Sequence, residues 1–177
     1  MATEPITTRY EKLFDTIDND YDGRVTQTDC QSLARRFADA YDLDHHGSRS
    51  RALVDAYNTF WNELAAESST QMLSKEEFTQ ALATVASDAS RLNRIEALPA
   101  ALFDVADTDG DKELSMSELV KFAEAIRGDH THVLDSFQKL STDGNPVSRE
   151  AVLQDFRDYL TSTDTKATAG GIILGAR

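Results

Sequence analysis

Asp18, Asp20, Asp22, Thr26 and Asp29 occupy positions 1, 3, 5, 9 and 12 of the stretch 18–29, and Asp107, Asp109, Asp111, Ser115 and Glu118 occupy the same positions of 107–118. Oxygen at those intervals suits a hard divalent cation, which takes about six to eight oxygen ligands. Five side chains supply donors. The position-7 carbonyl, here that of Arg24 or Glu113, adds another, and water often bridges at position 9. A lone Asp-x-Asp in a polar segment is ordinarily a solvated turn. Two complete runs, each with an apolar residue at position 8 (Val25 and Leu114) and a helical pattern on both sides, specify cages for calcium.

Donors so spaced need a loop held between two helices. Tyr10, Leu13, Phe14 and Ile17 precede the first run, and Leu98, Leu102, Phe103 and Ala106 precede the second; Leu33, Phe37 and Tyr41, then Leu119, Phe122 and Ile126, follow them. The recurrence is helical in each case. A Phe stands four residues ahead of the first donor in both, and the same helix–loop–helix self-similarity locates two more units, the last of them again led by a Phe, Phe137, four residues ahead of Ser141. In 66–77, led by Val54, Tyr57, Trp61 and Leu64, Leu73 falls at position 8 and Glu77 at position 12. Positions 1, 3, 5 and 6 are Ala66, Ser68, Thr70 and Gln71, so the charge that strips water from an ion is missing. Glu77 is assigned instead to a capping box with Ser74.

The fourth unit, 141–151, follows Val133, Leu134 and Phe137. With Val147 at position 8 this loop is one residue short, and Ala151 takes the closing slot; Asp143, Asn145 and Glu150 offer scattered oxygen, and the segment reads as a structural turn. The helices after the worn loops carry Phe78, Leu82 and Val85, and Val152, Phe156 and Leu160. The pattern therefore predicts an all-α chain of eight helices in four helix–loop–helix units: a pair in residues 1–87, a pair in 88–160, and a tail from 161 to 177. Back-to-back pairing through position 8 would set Val25 against Leu73 and Leu114 against Val147. In the tail, Ile172, Ile173 and Leu174 either fold back into a cavity between the lobes or fray.

A formal charge of −13 over 177 residues excludes nucleic acid and anionic membrane as natural partners and favours cations. Two calcium ions would bring it to about −9 and relieve carboxylate repulsion, so filling should tighten the fold. A single cysteine, Cys30, permits no intrachain disulfide. The start lacks a basic region followed by an apolar run, Ala2 excludes N-myristoylation, and no apolar run approaches the roughly 20 residues of a membrane span. The expectation is a soluble, cytoplasmic monomer. No nucleophile elbow, phosphate loop or His-Glu-x-x-His occurs, so no enzyme is expected. His45 and His46 lie in a polar connector and receive no role.

Four units of which the second is worn, a length near that of this chain, and a first loop closed by Asp resemble the sarcoplasmic calcium-binding proteins and the bacterial calerythrin-like proteins. The specific part of the resemblance is confined to Asp18–Asp29 and Asp107–Glu118. It implies a globule of two paired EF-hand lobes that serves chiefly as an intracellular calcium buffer. The fourth loop, which such proteins generally keep functional, departs here, so two ions are expected. Asp29 is one methylene shorter than Glu and should favour magnesium relatively, whereas Glu118 can chelate with both oxygens. Lys112 stands at the turn position, where a non-glycine costs roughly 1–2 kcal/mol. Each intact loop is paired with a spent one, which predicts little cooperativity within a pair and leaves coupling between lobes open. Three methionines, of which Met72 and Met116 sit in loops, argue for a buffer over a sensor that opens a groove. A calcium-regulated protein that binds a target is the alternative.

Overall fold

A computed structural model describes residues 5–126, 133–141 and 143–164. Nine helical segments and four two-residue strands alternate along them. The first unit is α1 (Ile6–Ile17), β1 (Arg24–Val25) and α2 (Gln27–Ala40). The second is α3 (Ser48–Ala65), β2 (Leu73–Ser74) and α4 (Lys75–Ser87). A short helix, α5 (Ala89–Ile95), precedes the third unit of α6 (Ala97–Ala106), β3 (Glu113–Leu114) and α7 (Met116–Ala125). The fourth consists of α8 (Val133–Leu140), β4 (Val147–Ser148) and α9 (Arg149–Thr161).

Local chemistry starts these helices where they start. Thr26, Ser74, Ser115 and Ser148 are N-caps, each accepting a backbone N–H three residues on. Pro99 is confined to the first turn of α6, where a missing N–H leaves no helical bond unmade. The eight expected helices are present, and α5 is an addition. Its N-cap Asp88 accepts from the Ser90 and Arg91 amides. Arg91 and Arg94 both reach Glu63 on α3, and Leu92 and Ile95 enter the core. Seven residues make only about two turns, shorter than the roughly 11–18 over which a helical period shows, so periodicity passes over them.

The strands form two separate antiparallel ribbons. Val25 faces Leu73 in one and Leu114 faces Val147 in the other, the register that the position-8 residues required, and all four are fully buried. The helices enclose one continuous apolar cluster. Phe14, Phe37, Tyr57, Trp61, Phe78, Phe103, Phe122 and Phe156 lie inside it, and Phe137 packs against it half-buried. Phe14 meets Phe78 edge to face at 5.5 Å between ring centroids, which holds α1 against α4.

The two ends of the described chain are clasped. Arg9 on α1 is buried and donates to the Asp158, Tyr159 and Ser162 carbonyls at the C-terminus of α9, with its guanidinium 5.6 Å from the Tyr159 ring centroid. A cation there complements the helix dipole as well as the free carbonyls. Tyr10 and Tyr159 hydroxyls donate to the Leu160 and Arg9 carbonyls. No helix among the described residues is long and apolar enough to cross a membrane. The Ile172, Ile173, Leu174 cluster lies outside the described residues.

Candidate metal centres

Loop 18–29 begins where α1 ends. Asp18 is the C-cap of α1 and leaves the helix at ψ 82, so its carboxylate turns back over the loop. Gly23 N–H donates to Asp18 Oδ2 at 3.0 Å, Asp22 N–H to Asp20 Oδ1 at 3.2 Å, and Arg24 N–H to Asp22 Oδ1 at 2.8 Å. Each carboxylate is thereby anchored to a later amide, Asp18 through both oxygens, since Asp22 N–H also reaches its Oδ1 at 3.2 Å. At the far end Asp29 receives the Asn19 amide on Oδ1 and the Thr26 amide and hydroxyl on Oδ2.

Loop 107–118 repeats this design. Asp107 is the C-cap of α6 at ψ 85 and accepts from the Gly110 and Lys112 amides at 2.9 and 3.0 Å. Asp109 accepts from Asp111 N–H, and Asp111 from Glu113 N–H. Glu118 Oε1 takes the amide and hydroxyl of Thr108, while Oε2 takes those of Ser115. Burial pushes the Glu118 carboxyl up, but these four donors outweigh it and hold the group below the usual carboxylate range. A carboxylate already ionised is ready for a cation.

Among the described residues, two groups of three acidic side chains bring a ligand atom from each member within 4.8 Å of the others: Asp18, Asp20 and Asp29, and Asp107, Asp109 and Glu118. In both the outer two are buried and the middle one is exposed, which gives a cage closed from below and open to solvent above. Asp22 and Asp111 lie on the exposed rims outside these groups. Thr26 and Ser115 hydroxyls touch the closing carboxylate, and Arg24 and Glu113 lie in β1 and β3. Hard carboxylate oxygens in this number, with no nitrogen or sulfur donor among them, fit calcium or magnesium rather than a transition metal.

Backbone strain is divided evenly between the loops. Position 4 and position 6 are left-handed in both: Tyr21 at φ 60 and Gly23 at φ 80, Gly110 at φ 74 and Lys112 at φ 67. The Lys112 strain is readable from the sequence; the equivalent burden on Tyr21 is not, because the loop pattern asks for a turn residue at position 6 alone. Thr108 at position 2 also escaped notice, since only the fold brings its hydroxyl to Glu118. On the other loop the position-2 residue, Asn19, accepts from Arg36 of α2 instead.

The worn loop 66–77 differs at its first residue. Ala66 stays in helical conformation at φ −59 and ψ −25, and Ser68 N–H donates back to Ala65, so α3 runs on into what would be the cage. Ser68 and Thr70 hydroxyls bond to each other, and Thr70 also donates to the Met72 carbonyl. The Ser74–Glu77 capping box forms as expected. It does not mark a dead loop, however: Thr26 with Asp29 and Ser115 with Glu118 form the same box. In loop 141–151, Ser148 caps an Ala151 that has no carboxylate to return.

No family model and no curated protein sequence matches the chain. Solved structures do. A Streptomyces coelicolor calcium-binding protein, studied for prokaryotic calcium-mediated regulation, is 22% identical over 88% of this chain and 98% of its own, with a TM-score of 0.75. The calcium-regulated photoprotein mitrocomin of the jellyfish Mitrocoma cellularia is 16% identical over 95% and 90%, with a TM-score of 0.78. The ctenophore photoprotein berovin, whose three calcium-binding loops all bind magnesium, is 23% identical over 86% of each chain, with a TM-score of 0.70. The fold is therefore that of the EF-hand calcium-binding proteins. Helix–loop–helix units in a mostly helical chain, joined in pairs by the β1–β2 and β3–β4 ribbons, make up that fold here.

Proposed function

We propose that the chain is a calcium-binding protein that takes one ion at loop 18–29 and one at loop 107–118, and that it acts as an intracellular calcium buffer. The observation that carries this reading is the matched pair of three-carboxylate groups, each anchored to its own loop amides and aimed at one point. The ligands assigned are Asp18, Asp20, Asp22, Arg24, Thr26 and Asp29, and Asp107, Asp109, Asp111, Glu113, Ser115 and Glu118. Bound calcium would supply the positive charge that lets so many carboxylates stay ionised side by side. Magnesium would compete better at loop 18–29, where Asp29 is the shorter closing ligand.

The aromatic core and the α1–α9 clasp support storage over target capture, because Phe14, Phe37, Phe60, Trp61, Phe78, Phe103, Phe122 and Phe156 are all buried among the described residues. Residues 1–87 and 88–160 form the two lobes in this reading, supported by the separate β1–β2 and β3–β4 ribbons. Isothermal titration of the monomeric chain with calcium, repeated in excess magnesium, tests the proposal. Two ions, one of them displaced more readily by magnesium, are expected. Absence of binding at either loop contradicts it.

A sensor reading draws on one observation, the Streptomyces coelicolor neighbour studied for calcium-mediated regulation. An apolar dye separates the two: less dye bound on adding calcium supports the buffer, and more supports the sensor.

A further inference from the structure

Asp29 and Glu118 each occupy the third helical position of the helix that follows its loop, α2 and α7, so a displacement of either carboxylate moves the start of a helix. These two helices touch. Phe37 of α2 stacks on Phe122 of α7 with centroids 5.3 Å apart and planes 25° apart, and both rings are buried. One turn further along α2, the Lys121 ammonium sits 4.5 Å from the centroid of the Tyr41 ring. Phe122 is four residues beyond Glu118 and Phe37 eight beyond Asp29, so the contact lies one turn from one cage and about two from the other. The ribbon partners of the two loops carry no carboxylate at positions 1, 3 and 5 in one case and no closing carboxylate in the other.

We infer that ion capture at loop 18–29 and at loop 107–118 is positively coupled across the α2–α7 contact, with Phe37 and Phe122 as the linking pair. The inference rests on the calcium-binding reading above. A cation that draws in Asp29 repositions α2, and a stacked pair in a close-packed core shifts with its helix rather than compressing. The rearrangement needed by the second cage is then partly made when the second ion arrives, so that ion binds more tightly. Reciprocity follows: each site must raise the affinity of the other by the same factor.

The test uses the full chain and calcium alone, with binding followed calorimetrically and at the Gly23 and Gly110 amide resonances. Asp20→Asn with Asp22→Asn disables the first loop, and Asp109→Asn with Asp111→Asn disables the second. Each surviving site should bind roughly five-fold or more weakly than in the native chain. In a Phe37→Leu, Phe122→Leu background that difference should fall to less than about two-fold. Equal affinity in native and single-loop chains overturns the coupling, as does a difference that persists without the two rings. Should the leucine variant fold poorly, calcium added to the Asp109→Asn, Asp111→Asn chain should still move the Phe122 amide, and a static Phe122 overturns the inference. Absence of heat in every chain removes the calcium reading itself, whereas two ions bound independently remove only the coupling.

Discussion

Loops 107–118 and 66–77 share a closing Glu, a capping box, a buried leucine at position 8 and a place in a two-stranded ribbon. They differ at positions 1, 3 and 5, where three carboxylates in one stand against a methyl and two hydroxyls in the other. Where Asp107, Asp109 and Asp111 each bend a carboxylate onto a later amide, Ala66 prolongs its helix and Ser68 and Thr70 bond to each other. The framework of the unit, then, survives the loss of its cage, because the cap and the strand are held by groups that do not need an ion. Glu77 itself is held below the usual carboxylate range by the Ser74 amide and hydroxyl.

The largest expected effect comes from making one substitution in both loops. Glu118→Gln should weaken calcium binding at its loop on the order of a hundred-fold, since ligand charge moves such loops through several decades of affinity. Glu77→Gln should leave the calcium titration unchanged and lower the melting temperature only slightly. Equal losses from the two would erase the distinction drawn here. Next in size, Lys112→Gly and Tyr21→Gly should each stabilise the calcium-saturated chain by about 1 kcal/mol, once the added freedom of an unfolded glycine is subtracted. Scanning calorimetry should show rises of about 2–4 °C. No rise at Tyr21 would mean that its φ of 60 carries no strain. A smaller change is expected at the other cage, where Asp29→Glu should raise the calcium-to-magnesium affinity ratio several-fold in competition titrations. An unchanged ratio would show that reach does not set selectivity.

Much of this comparison was legible in the residues. Donor spacing picked out the acidic side chains that the fold gathers at Asp18, Asp20 and Asp29 and at Asp107, Asp109 and Glu118, position 8 gave the strand register at Val25, Leu73, Leu114 and Val147, and Ala66, Ser68 and Thr70 set loop 66–77 apart as a stretch without carboxylates at those positions. What escaped was short or long-range. Helix α5 is too brief to show a period, and its anchor, the Arg91 and Arg94 contacts to Glu63, spans distant sequence. The Arg9 clasp on α9 joins residues some 150 positions apart. Nothing local singles out Thr108 between its two aspartates, since its partner Glu118 is ten residues away and only the closed loop brings the two together. The Ser74–Glu77 capping box was legible too, but it does not by itself tell the loops apart, since Thr26 with Asp29 and Ser115 with Glu118 form the same box and one carboxylate has oxygens enough to cap a helix and face an ion.

Diffraction from crystals grown in abundant calcium, with the anomalous signal of the ion located, tests the central claim most directly. The account predicts one peak in each cage, about 2.3–2.6 Å from the oxygens of Asp18, Asp20 and Asp29 and of Asp107, Asp109 and Glu118, and none in loop 66–77. Water alone in both cages, with those side chains turned outward, would contradict it.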